Sequence, residues 1–257
     1  MNVDSYFKIG HTHSCCEDYA LVGSYADVVY AIVSDGCSSS SFVDFGARLI
    51  SFSAKLSVDA GLFSLGYFEL GDLIIKQASR AAQVLFLHPD ILNATLLLAI
   101  WDSKQLRICV WGDGAVVLRH NNGKELIIHV NYQSGAPYYL SYRLNHRNKE
   151  EYHKNANVPV FLTINDTVKE TTIDEKVEFI YLPDEWSQVS LLSDGINTFS
   201  QPGQDIMSYK EIIPELTNYK NTAGVFVQRR MKFFEKKCLA EQIIHDDDIA
   251  VATIVNQ

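Results

Sequence analysis

Acidic residues directly follow apolar runs at separate places in this sequence. The apolar run over residues 28–33 leads into Asp35-Gly36, and the run over residues 189–192 leads into Asp194-Gly195. A short continuous apolar run is typical of a strand buried on both faces, and the glycine allows the backbone to turn close to a ligand. Aspartates in this position are therefore candidate functional residues.

Two further strand ends carry acid in the same way. Asp113 stands between two glycines after the run 106–111, and Asp246-Asp247-Asp248 precede the run 249–255. If these strand ends converge, each close pair of carboxylates costs about 4 kcal/mol at ~4 Å and an effective dielectric of about 20. Bound cations or protons can relieve that repulsion. Ligand sets made only of oxygen favour Mg²⁺ or Mn²⁺ over zinc.

The run from His11 to Cys16 offers softer ligands. Alternation along a strand would place His11, His13 and Cys15 on one face, which permits a zinc site. Structural zinc sites usually combine separated pairs of ligands, however, so the hard-cation hypothesis is favoured. Glu17 disfavours the thiolate of the adjacent Cys16 by like charge, so a cysteine nucleophile is not expected.

Composition limits the class of protein. The chain has 257 residues, 47% of them hydrophobic, which is enough for a real core, and we expect a single domain over residues 1–257. Lys and Arg number 22 against 31 Asp and Glu, a net charge of -9, and no long basic run is present. A nucleic-acid partner is therefore not expected.

The N-terminus, the apolar runs and the cysteines predict the cellular compartment. The N-terminus has no basic region followed by an apolar one, and the sequence contains no run of 18 or more apolar residues, so we expect no membrane partner. The five cysteines are an odd number without the spacing of a disulfide framework. We therefore expect a cytoplasmic protein.

Hydrophobic periodicity predicts alternating sheets and helices. The helix predicted over residues 42–58 carries Phe42, Phe45 and Phe52 at helical spacing, and we predict that this stripe faces the core. The strands are predicted at residues 6–13, 28–33, 95–101, 105–111, 115–119, 126–130, 167–173, 177–182, 188–193 and 249–255, and the helices at 42–58, 68–87, 206–216 and 224–242.

Residues 131–159 form the least regular part of the sequence, rich in tyrosine, asparagine and charge. A segment of this length without secondary structure is usually functional or a linker. Two interpretations stay open, a flap over the acidic site and a long surface connection.

The order of the acidic blocks resembles that of the metal-dependent Ser/Thr protein phosphatases of type 2C. The resemblance spans nearly the whole chain and rests on several blocks in sequence. They are Glu17-Asp18, Asp35-Gly36, Ala94-Thr95, Gly112-Asp113, Ser193-Asp194-Gly195 and Asp247-Asp248-Ile249.

The resemblance implies an α+β fold, a four-layer αββα sandwich of two stacked, mainly antiparallel sheets flanked by helices. It also implies two Mg²⁺ or Mn²⁺ ions at one end of the sandwich. Asp35 would bridge both ions, Gly36 would offer its carbonyl oxygen, and Asp194 and Asp247 would complete the shell of the first ion.

The second ion would lie on the side of Glu17 and Asp18, which would act mainly through waters. Asp113, with Asp194, matches the position of a further, weaker metal. In such a site the ions lower the pKa of a shared water, which attacks phosphorus in line. The implied function is hydrolysis of phosphoserine or phosphothreonine in a protein substrate, with Asp35, Asp18 and His13 as the catalytic residues.

Three departures from the family pattern weaken parts of this interpretation. His13 stands where the phosphate-binding Arg is usual; as the substrate-binding residue it can donate to phosphate, but it cannot form the same bidentate contact. Serines replace the usual glycines after Asp35-Gly36, and Thr198 replaces an expected acid of the third metal site.

These departures leave two alternatives, a catalytically weak or inactive phosphatase-like module that binds a partner, and a two-metal hydrolase of small phosphoesters. The retained acids argue against the inactive module, since an inactive copy has no need to keep mutually repelling carboxylates. We expect a monomer.

Overall fold

The computed structural model describes residues 1–40, 42–155, 159–172 and 175–256. The end of the predicted strand at Ile173 and part of the 131–159 segment, residues 156–158, lie outside them. The helices are α1 Val43–Asp59, α2 Tyr67–Val84, α3 His146–Asn155, α4 Tyr209–Thr217 and α5 Phe226–Glu241. The strands are β1 Asn2–Lys8, β2 Tyr19–Tyr25, β3 Val28–Ser34, β4 Leu96–Trp101, β5 Leu106–Trp111, β6 Gly114–His120, β7 Glu125–Tyr132, β8 Val160–Ile164, β9 Thr167–Thr171, β10 Val177–Tyr181, β11 Trp186–Leu192, β12 Phe199–Ser200, β13 Ile244–His245 and β14 Ile249–Val255.

The strands form two large antiparallel sheets. One contains seven strands in the order β1-β14-β11-β6-β7-β8-β9, and the other contains five in the order β10-β5-β4-β3-β2. A small third sheet pairs β12 with β13. Helices α1 and α2 cover the five-stranded sheet, and α4 and α5 cover the seven-stranded one. The predicted four-layer αββα sandwich is confirmed.

Strand β3 explains how the layers are filled. Its side chains alternate between the two faces of the sheet. Ala31 and Val33 belong to the core between the sheets, whereas Tyr30 and Ile32 belong to the core under α1 and α2. Because both faces are covered, the strand has a continuous apolar run, and the acid that follows it lies at the end of the sandwich.

The first strand differs from its prediction. It covers Asn2–Lys8 and pairs with β14, while β2, which the sequence analysis did not identify, pairs with β3. A Cβ on Gly10 would lie 2.4 Å from the carbonyl oxygen of Asp246, so the chain after β1 packs directly against the segment before β14. Residues 10–17 form a loop there instead of a continued strand.

The aromatic stripe on α1 was wrongly predicted to face the core. Phe42 is 71% exposed, Phe45 50% and Phe52 44%. The helix instead packs through the smaller side chains of its other face, including Ala47 and Ile50, which are wholly buried. The approach at Gly46 is so close that a Cβ there would lie 1.5 Å from a backbone oxygen.

The 131–159 segment contains more structure than predicted. It holds the end of β7, a 3₁₀ turn at Leu140–Leu144 and helix α3. Leu140 is buried in the core under α1 and α2, and Ser141 donates a hydrogen bond to Oδ1 of Asn93 over 2.7 Å. None of the helices in the described ranges combines the length and apolar composition needed to cross a bilayer.

Candidate metal centre

Asp35 is held at the end of β3 by the residues that precede β4. Its N–H donates a hydrogen bond to Oγ1 of Thr95 over 3.0 Å, and its carbonyl oxygen accepts one from the N–H of Thr95 over 2.8 Å. Gly36 forms a bridge with Ala94, and a Cβ on Gly36 would lie 2.9 Å from Cβ of Val43. The backbone on both sides of the Asp35 carboxylate is therefore fixed.

The carboxylates of Asp35, Asp113 and Asp194 converge where the two sheets meet. Each offers one oxygen, and these atoms lie within 4.8 Å of one another, the one such group of three or more potential ligands in the described ranges. Asp113 lies between Gly112 and Gly114, whose φ values of 100° and 129° form the tight connection of β5 to β6. Asp194 begins a 3₁₀ turn just after β11.

Burial and mutual repulsion raise the pKa of each carboxyl in this group. The pKa of Asp35 lies well above its ordinary value because of burial, then the charges of Asp194 and Asp18. Burial and the charge of Asp194 do the same to the pKa of Asp113. Burial and then the charge of Asp247 raise the pKa of Asp194 to about 6. Such a group favours binding of protons or cations.

Asp18 is a further buried acid of the same cluster. Its Oδ2 accepts a hydrogen bond from the hydroxyl of Ser193 over 2.6 Å, and the N–H of Ala250 donates to that hydroxyl oxygen over 2.8 Å. Burial raises the pKa of Asp18, and the charge of Asp194 raises it further, against the hydrogen bonds with Ser193 and Asp35. Asp18 therefore lies against both Asp35 and Asp194.

Two buried carboxylate oxygens at this site are orphaned. Neither Oε2 of Glu17 nor Oδ1 of Asp113 has a hydrogen-bond partner within the part of the chain that the structure describes. A buried polar atom without a partner is costly, and a hard cation or a water that it holds would satisfy these oxygens. The ligand set of carboxylate oxygens therefore fits Mg²⁺ or Mn²⁺.

Among the three aspartates before β14, the structure buries Asp248. Its Oδ1 accepts the N–H of Gly10 over 2.6 Å, and its Oδ2 accepts the N–H of Glu17. Oδ2 also lies 3.1 Å from Nδ1 of His13. Asp248 thus ties the 10–17 loop to the start of β14, a role that the sequence pattern did not indicate.

Asp247 lies beside the convergent carboxylates but outside the 4.8 Å group formed by the described residues. Its side chain is 34% exposed, and its Oδ1 accepts the N–H of Asp248 over 2.8 Å and lies 3.6 Å from Nε2 of His13. Its charge contributes to the raised pKa of Asp194. Asp113, which the resemblance places at a further, weaker metal, lies in the 4.8 Å group with Asp35 and Asp194.

His13 is half-buried between two acids. One ring nitrogen faces Asp247 and the other faces Asp248. Burial lowers the pKa of His13, but the hydrogen bond and charge of Asp248, followed by the charge of Asp247, outweigh it and raise the pKa overall. The residue in the place of the usual Arg therefore lies between two carboxylates that favour its charged form.

The residues around Cys16 do not form the alternative zinc site. Among the described residues, no group of metal ligands forms from the run His11 to Cys16. Burial, then the charges of Asp248 and Asp18, raise the pKa of Cys16. The thiol stays protonated at neutral pH, so this cysteine is not an activated nucleophile.

Comparison with known proteins identifies the family of this chain. The family model described as protein phosphatase 2C matches residues 10–237. This chain belongs to the protein phosphatase 2C family. No match is found among curated proteins.

Solved structures share the fold of this 2C phosphatase family member. A bacterial serine phosphatase is 13% identical, with a TM-score of 0.61, and the match covers 100% of this chain and 98% of that one. The Ser/Thr phosphatase Stp1 from Staphylococcus aureus is also 13% identical with a TM-score of 0.61, covering 100% and 96%. RsbX in complex with magnesium is 14% identical with a TM-score of 0.53, covering 99% and 96%.

The family match supports a metal-dependent phosphatase and does not favour a non-catalytic binding module over it, and these neighbours share the fold. One tyrosine of this 2C phosphatase family member lies near the acidic site. Burial, with smaller contributions from Cys37 and from the charges of Asp35 and Asp113, raises the pKa of Tyr139. Tyr139, which belongs to the tyrosine-rich part of the sequence, is therefore a neighbour of the site.

Proposed function

We propose that this protein is a metal-dependent phosphomonoesterase that removes phosphate from phosphoserine or phosphothreonine in proteins. The observation that carries the proposal is the convergence of Asp35, Asp113 and Asp194 within 4.8 Å, in a chain of the protein phosphatase 2C family. Half-buried and buried carboxylates at this spacing are unfavourable by themselves and become favourable around divalent cations.

Two ions, Mn²⁺ or Mg²⁺, are proposed to bind there. Bound to these carboxylates, they would lower the pKa of a water and neutralise charge on the phosphate oxygens. Asp35, Asp113 and Asp194 are the proposed central ligands. The family resemblance adds Asp247, Glu17, Asp18 and the carbonyl oxygen of Gly36 to the ligand set.

Hydrogen bonds within the protein hold the proposed ligands in place. Thr95 fixes the backbone of Asp35 on both sides, and Ser193 fixes Oδ2 of Asp18. We assign to Asp18 the uptake of the proton that leaves the attacking water. We assign to His13 the placement of Asp247 and a positive charge beside the bound phosphate, since its ring already contacts that acid.

The proposed substrate is a phosphoprotein because the family is one of protein phosphatases. One neighbour of the same fold is described as a serine phosphatase and another as a Ser/Thr phosphatase. A cytoplasmic location, a monomeric state and a single functional domain over residues 1–257 stay predictions from the sequence.

The experiment compares hydrolysis of an aryl phosphate and of a phosphoserine peptide by wild type, Asp35→Asn and Asp246→Asn. Asp246 is an exposed acid next to the site and serves as the matched control. We expect Mn²⁺-dependent turnover of both substrates that EDTA abolishes, that Asp35→Asn reduces by at least ~100-fold, and that Asp246→Asn retains.

Other outcomes contradict the proposal in distinct ways. Metal binding without turnover of either substrate would indicate the binding module. Turnover of the aryl phosphate without turnover of any phosphopeptide would indicate a hydrolase of small phosphoesters.

A further inference from the structure

A groove of about 420 Å³ lies between helix α5 and the chain that follows β1. Its floor is apolar and buried, and it belongs to the core between the seven-stranded sheet and helices α4 and α5. The floor residues are Phe199, Met231, Phe234, Cys238, Ile243 and Ile249. Its volume falls within the range of roughly 300–1,000 Å³ that is typical of ligand sites.

Apolar side chains also form the rim of this groove. Leu239 on α5 is 84% exposed, and Ile9 on the opposite side is 38% exposed. Lys8 and Glu235, which pair over 3.5 Å, complete the rim. Exposed apolar residues around a concave apolar surface are a feature of interaction sites, and an extended chain lying across this groove would cover both of them.

One end of the groove reaches the metal centre through His13. This residue lines the groove, and its Nε2 lies 3.6 Å from Oδ1 of Asp247. The loop that carries it is fixed, because the N–H of His11 donates to the carbonyl oxygen of His245 over 2.9 Å. The groove therefore borders the acidic site, and His13 lies between them.

We propose that this groove binds an apolar side chain of the phosphoprotein substrate, close in sequence to the phosphorylated residue. The proposal rests on the proposed function. Extended peptides advance about 3.3 Å per residue, so a leucine within a few residues of a phosphoserine at the metal centre can reach a groove that His13 borders. The position of His13 between the groove and Asp247 favours a substrate segment as the occupant, and the apolar floor favours an aliphatic or aromatic side chain.

The test uses two phosphoserine peptides, one with leucine at the two positions on each side of the phosphoserine and one with alanine there. An aryl phosphate is the reference substrate. Leu239→Glu places a charge on the rim, and Ile9→Ser removes the opposite apolar side chain. Phe233→Glu is the matched control, because Phe233 is 61% exposed on the same helix and lines a different cavity.

Burial of one leucine side chain is worth roughly 1.5–3 kcal/mol, which is about 10- to 100-fold in an equilibrium or rate constant. We expect wild type to prefer the leucine peptide over the alanine peptide by about tenfold or more in kcat/KM. The ratio of kcat/KM for the leucine peptide to that for the aryl phosphate should fall about tenfold in Leu239→Glu, fall several-fold in Ile9→Ser and stay unchanged in Phe233→Glu.

Peptide binding measured by fluorescence anisotropy separates this proposal from the proposed function. If no substrate is turned over, the enzymatic proposal fails. Tighter binding of the leucine peptide than of the alanine peptide, weakened in Leu239→Glu, would then still support the groove as a binding site. Turnover of both peptides at equal efficiency, with no effect of Leu239→Glu or Ile9→Ser, overturns the groove and leaves the phosphatase intact. Equal binding of both peptides without turnover overturns both. Circular dichroism confirms that each variant is folded.

Discussion

The hydroxyl of Ser193 donates a hydrogen bond to Oδ2 of Asp18 over 2.6 Å, although 175 positions separate these residues in the sequence. The same hydroxyl oxygen accepts the N–H of Ala250 over 2.8 Å. One side chain therefore joins the end of β11, the start of β14 and the acid that precedes β2. Its orientation is set from both sides, so it can hold Asp18 in a single position.

Ser193→Ala is expected to weaken metal binding. The substitution leaves a buried carboxylate without its hydrogen-bond donor, which raises the pKa of Asp18 further and frees its side chain to rotate. Loss of a group that orients a metal ligand typically costs about 10- to 100-fold in metal affinity or activity. Calorimetric titration with Mn²⁺ measures the affinity directly.

Ser187→Ala is the control for that substitution. Ser187 also lies on β11, but its hydroxyl donates to the carbonyl oxygen of Arg119 over 3.1 Å, within the sheet. Its substitution is expected to leave the affinity for Mn²⁺ unchanged. Equal affinities of Ser193→Ala and wild type would show that the hydrogen bond does not position Asp18 for metal binding.

Asp35→Asn is expected to stabilise the metal-free protein. The pKa of Asp35 is raised by burial and by the charges of Asp194 and Asp18, so its carboxylate destabilises the fold at neutral pH when no cation is present. A neutral amide of the same shape removes that repulsion, for a gain of about 1–3 kcal/mol. Thermal unfolding in EDTA at pH 7.5 measures the change.

The same variant should lose the stabilisation that wild type gains from Mn²⁺, because a ligand that binds only the folded state raises its stability. Asp246→Asn, at an exposed position, should gain nothing in EDTA and respond fully to Mn²⁺. A melting temperature of Asp35→Asn below that of wild type in EDTA would contradict the interpretation of the cluster as mutually repelling.

The sequence was sufficient to predict that Asp35, Asp113 and Asp194 lie at strand ends. Each comes just after a short apolar run, and such a run indicates a buried strand. It could not indicate that Asp248 holds the 10–17 loop or that Ser193 orients Asp18. The hydrogen bond between Gly10 and Asp248 spans 238 positions, and no local pattern marks such a partner. Long-range hydrogen bonds of this kind depend on which strands become neighbours.

His129 makes the stability depend on pH. It is buried on β7, its ring lies 4.5 Å from that of Tyr209, and burial lowers its pKa from 6.5 to about 4. Between these values the unfolded chain binds a proton at His129 that the folded protein does not. This contribution to stability is therefore present above pH 6.5 and falls as the pH drops toward 4, by about 3 kcal/mol in total.

His129→Phe removes the titrating group and keeps an aromatic ring against Tyr209. Urea unfolding of both proteins from pH 4 to pH 7 should show that the loss of stability on acidification is smaller in the variant. The difference between the two curves of unfolding free energy against pH isolates the contribution of the His129 imidazole from those of the other titrating groups. Parallel curves over this pH range would show that His129 is not the neutral buried group that the geometry indicates.

Helix α1 shows where periodicity alone fails. It has apolar side chains at helical spacing on two faces, one with Phe45, Phe52 and Leu56 and another with Ala47, Ile50 and Ala54. A period of 3.6 residues identifies a helix but does not decide which of two apolar faces is buried. The larger side chains suggested the first face. The second is buried, because Gly46 lets the backbone of α1 pack against the turn at Pro89–Leu92.

The two faces of α1 are distinguished by a matched pair of substitutions. Phe45 is 50% exposed, so Phe45→Glu should change the free energy of unfolding by no more than about 1 kcal/mol. Ile50 is wholly buried, so Ile50→Ala should cost about 2–5 kcal/mol through lost contacts and a cavity. Urea unfolding in EDTA measures both without a contribution from metal binding. The reverse ranking would restore the phenylalanine stripe to the core and contradict the packing of α1 described above.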